Sequence, residues 1–214
     1  MTLKYPDDYI NKIICGDCLE VMKGIPDKSV DLVLTSPPFK DEDVDRDYWD
    51  NYKLWFNEIK RIVSKVIIII HSATKINNLI TNYPPKRLMI WGKGFSKYSW
   101  RFNPILLYQQ DEDYSVNKRI WSDCFAVPSL TKWMEKKKHK YQDPENLYIA
   151  LLKMFKECNI ILDPFLGSGT TAVACKELGR NFIGIEIEPK YCEIAERRLA
   201  NTITEMFCKT KELE

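Results

Sequence analysis

The chain has 214 residues, of which 45% are hydrophobic and 29% charged, and a formal net charge of +2. Those proportions exclude disordered, collagenous and low-complexity classes and supply ample material for one core. The mild charge permits a nucleic-acid partner without demanding one, and no apolar run approaches the roughly 20 residues of a membrane span.

In chain order, residues 11–15 read as a short strand entering Gly16-Asp17. Residues 31–35 form a second strand, halted by Pro37-Pro38 because proline cannot continue a central ladder. Over 52–64, Leu54, Trp55, Ile59, Ile62 and Val63 fall near helical spacing, so an amphipathic helix is expected before the aliphatic strand 66–70. Strands at 87–91 and 104–108 are expected around a Gly92-Lys93-Gly94 turn and loop. Asp143-Pro144-Glu145 is a helix start, with Asp143 as N-cap and Pro144 at the first helical position. That helix should run to about residue 158 with Leu147, Leu151, Leu152 and Phe155 inward. A strand at 159–163, a helix at 170–178 closed by Gly179, a strand at 181–186 and a helix from Pro189 to about residue 200 complete the pattern. Such alternation predicts one α/β domain over 1–214, a mostly parallel sheet with helices on both faces.

Seven cysteines, an odd number set mostly in apolar patterns, argue against a disulfide framework. Met1–Asp8 has no apolar signal core. A reducing, cytoplasmic compartment follows. Cys15-Gly16-Asp17-Cys18 has C-x-x-C spacing, but no second pair completes a zinc site, so no metal is expected. Residues 41–50 carry six acids and one arginine, and 132–140 carry five lysines and one glutamate. Each, taken alone, is most simply a solvated loop face.

Chemistry is written at two strand ends. In Ile160-Ile161-Leu162-Asp163-Pro164-Phe165-Leu166-Gly167-Ser168-Gly169-Thr170-Thr171, an aliphatic strand ends in an acid, a Gly-x-Gly turn follows and a helix begins. Glycines let a ligand approach the backbone, and the open N–H groups of the helix start face it. Glu186 follows Gly167 by 19 residues at the end of the next strand, where a carboxylate can accept from both ribose hydroxyls of a nucleoside. Ala172 and Ala174 stand where a dinucleotide fingerprint has its third glycine, which favours a mononucleoside ligand. The second strand end is Leu32-Val33-Leu34-Thr35-Ser36-Pro37-Pro38-Phe39. Its two prolines fix a stiff turn that presents a hydroxyl, carbonyl acceptors and an aromatic face to an incoming amino group.

These residues resemble the β-class amino-methyltransferases of DNA, a Rossmann-like family using S-adenosylmethionine, with the catalytic motif ahead of the cofactor loop. Ser36-Pro37-Pro38-Phe39 is similar to their catalytic tetrapeptide, in the serine form associated mainly with cytosine N4. The stretch Phe165, Leu166, Gly167, Ser168, Gly169 and Thr170 is similar to their cofactor loop, with Asp163 leading into it. Gly16-Asp17-Cys18 resembles the element holding the cofactor's adenine, and 25–32 the usual lead-in. His139-Lys140-Tyr141-Gln142-Asp143-Pro144 resembles the element preceding the cofactor loop, with Lys140 where proline is usual and Asp143 where lysine is common. Residues 89–93 and 101–104 match the mid-chain motifs more loosely.

The resemblance implies methyl transfer to N4 of a flipped cytosine in duplex DNA. Ser36, Pro37, Pro38 and Phe39 would be catalytic. Asp17, Cys18, Gln142, Asp163, Phe165, Gly167, Ser168, Gly169, Thr170 and Glu186 would bind the cofactor. Adenine N6 is the alternative, followed by an RNA amine and by a silent DNA-recognition subunit. Only 28 residues separate Gln110 from His139, short for the family's recognition insert. Sequence reading is therefore expected from a reduced basic segment at 111–140, or from a homodimer or recognition partner.

Overall fold

In the computed structural model, which describes residues 3–38, 46–95, 100–109, 124–126 and 143–203, strands and helices alternate through most of the chain. They are β1 (Lys12–Cys15), α1 (Cys18–Met22), β2 (Val30–Thr35), α2 (Arg46–Ile62), β3 (Val63–Ile70), a 3-10 turn (Ala73–Lys75) and α3 (Ile76–Asn82). There follow β4 (Arg87–Phe95), β5 (Trp100–Gln109), β6 (Cys124–Ala126), α4 (Glu145–Lys153), β7 (Ile160–Asp163), α5 (Thr170–Glu177), β8 (Asn181–Glu186) and α6 (Pro189–Ala200).

The eight strands form one sheet in the order β1-β8-β7-β2-β3-β5-β4-β6. The first five run parallel, β5 is antiparallel to both β3 and β4, and β6 lies parallel to β4. Covering both faces explains why β3 is aliphatic without alternation: Val66, Ile67, Ile68, Ile69 and Ile70 are all fully buried. Val66, Ile68 and Ile70 pack under α4, α5 and α6 with Leu147, Leu151, Ala174 and Ala195. Ile67 and Ile69 face α1, α2 and α3 with Met22, Ile59 and Leu79. From β2 the chain moves outward to β3, while β7 and β8 step the other way. The strand order therefore reverses between β2 and β7, the place where open α/β sheets leave a crevice.

Local expectations need four corrections. The second helix begins at Arg46 and ends at Ile62, with Tyr52 and Phe56 inward and Leu54 53% exposed. The expected Trp55, Ile59 and Ile62 are buried on that face together with Tyr52 and Phe56, so Leu54 is the one expected inward residue of the helix that turns out. Gly92 and Gly94 lie within β4, where Gly92 pairs with Phe102 and a bulge separates it from Phe95; the antiparallel ladder runs past them. At α4 the N-cap is Pro144, in extended backbone, and the helix stops at Lys153. Asp143 is thereby released from capping, and its carboxylate accepts instead from the Tyr148 phenol. Within the segment expected as a recognition loop, 124–126 is an edge strand on β4, and its remaining residues lie outside those described. Among the described residues no helix is long and apolar enough to cross a membrane. Among the described residues, Cys15, Cys18, Cys158, Cys175 and Cys192 stand outside any disulfide.

Candidate active site

Parallel pairing of β2 with β7, in the register Val33 to Leu162, brings both motifs to one edge of the sheet. β2 ends at Thr35 and continues into half-buried Ser36, buried Pro37 and exposed Pro38. β7 ends at Asp163, whose carboxylate ties the two strand ends together. Its Oδ1 accepts from the Thr35 hydroxyl at 2.7 Å and from the Phe165 N–H at 3.1 Å, and its Oδ2 accepts from the Thr171 hydroxyl. Asp163 is only 3% exposed. Burial raises its carboxyl to about 6, against the lowering effect of those three donors.

The two glycines of the loop do different work. Gly167 has φ +55, and a side chain there would meet nothing nearer than the Phe165 carbonyl at 4.0 Å, so the loop leaves open room. Gly169, the N-cap of α5 at φ +87, would set a Cβ 2.8 Å from that of Ala195 and 3.0 Å from its Cα. It is the contact with α6 that requires glycine there. Gly169→Ala should combine left-handed strain with overpacking and lose roughly 2–4 kcal/mol. Gly179→Ala, at φ +66 with nothing within 4 Å, should lose only about 1–2 kcal/mol. Urea unfolding of the two variants checks the difference, and equal losses would remove the packing argument.

Glu186 is 8% exposed at the end of β8. One carboxylate oxygen accepts from the Gly167 N–H at 2.7 Å and the other from the Glu188 N–H at 2.9 Å. Each oxygen keeps a further lone pair, so a ribose diol fits this carboxylate beside the space at Gly167. On the neighbouring strand, Gly16 donates to the Glu186 carbonyl, and Asp17 caps α1 by accepting from the N–H groups of Leu19 (2.8 Å) and Glu20 (3.3 Å). Cys18 opens that helix; burial, then the Asp17 charge, pushes its thiol up to about 11. Phe165 packs edge-on against Trp55, centroids 5.2 Å apart.

Ser168 and Thr170 turn their hydroxyls toward Arg198 of α6. That guanidinium, 7% exposed, donates to the Ser168 carbonyl, to Ser168 Oγ at 2.9 Å and to Thr170 Oγ1 at 3.4 Å. Its other nitrogen holds Glu145 at 2.6 Å. Sequence reasoning missed Arg198, although a charge three residues after the buried Ala195, on the same helix face, was the available signal. It also missed His71, fully buried just beyond β3, whose Nδ1 accepts from the Ser72 N–H at 2.8 Å. Burial lowers this imidazole to about 4, so it is neutral at ordinary pH. Of the expected site residues, Phe39 and Gln142 lie outside the described residues, as do 41–45 of the acidic run and all of 132–140. The rest gather at this one edge.

The profile of a family described as DNA methylase, covering N6 and N4 enzymes, matches residues 30–197. The chain belongs to that family. Type II methyltransferase M.HinfI of Haemophilus influenzae is 31% identical over an alignment taking in 90% of this chain and 69% of that protein. Type II methyltransferase M.BglII of Bacillus subtilis is 27% identical, over 89% and 69%. Among solved structures, M1.HpyAVI in complex with SAM shares 26% identity at a TM-score of 0.67, covering 88% of this chain and 99% of the other. The cytosine-N4-specific PvuII DNA methyltransferase gives a TM-score of 0.73 at 18% identity, over 93% and 90% of the two chains. That last likeness speaks for the shared fold of DNA methylases and for nothing finer.

Proposed function

We propose that this DNA methylase transfers the methyl group of S-adenosylmethionine to the exocyclic N4 of a cytosine flipped out of duplex DNA. The observation that carries the reading is the adjacency of β2 and β7, which puts the Ser36-Pro37-Pro38 turn next to the loop of Gly167 and Gly169. Glu186 would take the ribose hydroxyls, and Asp17, Cys18, Phe165 and Gln142 would surround the rest of the cofactor. Asp163, Ser168, Gly169 and Thr170 shape the loop that receives it. The cofactor supplies a sulfonium methyl that is already activated, leaving alignment to the protein.

An exocyclic amine is a poor nucleophile while its lone pair is delocalised into the ring. Hydrogen bonds from its two N–H groups to Ser36 Oγ and to the Pro37 carbonyl localise that pair, and Phe39 stacks on the base. A base within the duplex cannot reach such a turn, so it is extruded at a cost of a few kcal/mol. The single domain would read its target through the basic segment 111–140, or with a second copy or recognition partner. Its role would be site-specific modification of the restriction–modification kind in the cytoplasm.

Adenine N6 is the second reading, because the family takes both amines and an acceptor pair serves either. Incubation with labelled S-adenosylmethionine and DNA of mixed sequence, then nucleoside mass spectrometry, separates them. N4-methylcytosine is the expected product. N6-methyladenine alone would overturn the base assignment and leave the enzyme class standing. Ser36→Ala should slow turnover more than it weakens DNA binding, since its acceptor matters most as the amine becomes tetrahedral.

A further inference from the structure

Arg198 of α6 is buried, and its guanidinium reaches two other parts of the fold. One terminal nitrogen donates to the Ser168 carbonyl, to Ser168 Oγ at 2.9 Å and to Thr170 Oγ1 at 3.4 Å. The other donates to Glu145 Oε1 on α4 at 2.6 Å. A guanidinium keeps its charge and can only donate. Buried, it needs acceptors and a counter-charge. Ser168 and Thr170 supply the acceptors, and the half-exposed Glu145 supplies the charge.

Those acceptors sit at the softest part of the loop. Ser168 lies between two left-handed glycines, Gly167 at φ +55 and Gly169 at φ +87. Glycine passes between backbone wells at little steric cost, so something else must hold the peptide joining Ser168 to Gly169. Its N–H end donates to the Leu166 carbonyl at 3.0 Å, and its C=O end accepts from Arg198. Without the guanidinium, the carbonyl end loses its charged donor and the peptide can turn over. The same helix also walls the loop, because Ala195, one turn before Arg198, stands where a side chain on Gly169 would go. A brace serving helix packing alone would place its bonds on helix bodies. Arg198 places its bonds on Ser168 and on Thr170 at the very start of α5.

We infer that Arg198, held by Glu145, is a positioning residue that keeps the stretch 168–170 in the shape that admits S-adenosylmethionine. This rests on the reading of the Gly167 loop as the cofactor's. Glu145 acts from α4 through the guanidinium, so a residue with no assigned place against the ligand bears on its affinity. Loss of the brace lets the empty loop take other shapes, and apparent affinity falls by the fraction of time the binding shape is held. A loop in that shape about one-tenth of the time binds about tenfold more weakly. Once the cofactor is in place it holds the loop itself, so turnover at saturation is little changed.

The test uses the full chain, with calorimetric titration of S-adenosylmethionine, urea unfolding of the same samples and kinetics on unmethylated DNA of mixed sequence. Arg198→Met keeps an unbranched stem in the core and removes the charge with every bond it makes. Its cofactor affinity should fall at least about tenfold, with KM for S-adenosylmethionine rising to match and kcat at saturation within about threefold. Arg198→Lys, a cation without the planar fork, should fall between it and wild type. Glu145→Gln, which takes away the counter-charge, should do the same. Gly179→Ala, beyond the far end of α5 with nothing within 4 Å of the added carbon, is the control for lost stability alone. It should bind the cofactor as wild type does. Wild-type affinity in folded Arg198→Met, or an equal loss in Gly179→Ala, would overturn the inference. If Arg198→Met does not fold, wild-type affinity in both Arg198→Lys and Glu145→Gln overturns it in the same way. Unchanged affinity in Glu186→Ala would instead overturn the placement of the cofactor at this loop, so the two failures are told apart.

Discussion

Asp163→Leu should lose on the order of 3–5 kcal/mol of folding stability, the largest single-site loss expected in this chain. Three donors, the hydroxyls of Thr35 and Thr171 and the Phe165 N–H, converge on one carboxylate. Each stranded buried donor costs about 1–3 kcal/mol, and the backbone N–H cannot rotate away as the hydroxyls can. Asp163→Asn should be far milder, because an amide oxygen replaces one acceptor while Thr171 can turn its hydroxyl. The pH dependence has a defined sign. The folded value of about 6 stands above the ordinary 3.8, so the folded chain holds this proton more tightly than the unfolded one. The group's contribution is fully present below 3.8 and declines as pH rises through about 6, by roughly 1.4 kcal/mol for each tenfold difference in proton affinity between the folded and unfolded chains. Urea unfolding of both proteins across that window should show the Asn variant gaining on wild type as pH rises. Parallel curves would mean that burial does not hold the proton.

The same carboxylate shows how far the sequence could be read. Glycines, prolines and acids report on the backbone near them. The strand–turn–helix around Gly167 and the proline turn after Thr35 were therefore legible, as was the aliphatic strand ending at Ile70. The elements missed are those that only tertiary contacts stabilise. α3, with sequence INNLITN, buries Leu79 alone, α1 has five residues and β6 three. Side-chain partnerships were less legible still. Arg198 reaches a loop 30 residues earlier, and Thr35 reaches Asp163 across 128. Tyr148 had no local mark at all, since a buried tyrosine on a helix reads as packing until its hydroxyl is followed to Asp143. Asp163 reads as a cofactor residue from its place in a motif, and its three protein donors give it a structural task that no motif spells out.

Glu186→Ala should nearly abolish S-adenosylmethionine binding while the domain stays folded. Two charge-assisted hydrogen bonds to ribose, roughly 1.5–3 kcal/mol each, would be lost, a weakening on the order of a hundredfold to ten-thousandfold. The protein contacts of this carboxylate add a second effect. It also holds the N–H groups of Gly167 and Glu188, so its removal loosens the loop that receives the cofactor. Those N–H groups lie in part-buried loops, and the expected cost is about 1–2 kcal/mol. Glu186→Gln separates the two effects. Its one amide oxygen can keep either the Gly167 or the Glu188 N–H, while its NH2 group faces the other donor and the charge is gone. Calorimetric titration should therefore rank wild type above Gln and Gln above Ala, and urea unfolding should rank them in the same order over a narrower span. Unchanged affinity in Glu186→Ala would remove the carboxylate from the cofactor site and leave it as a loop brace. Equal affinities in Gln and Ala would show that the charge toward ribose, and not the order of the Gly167 loop, sets the binding.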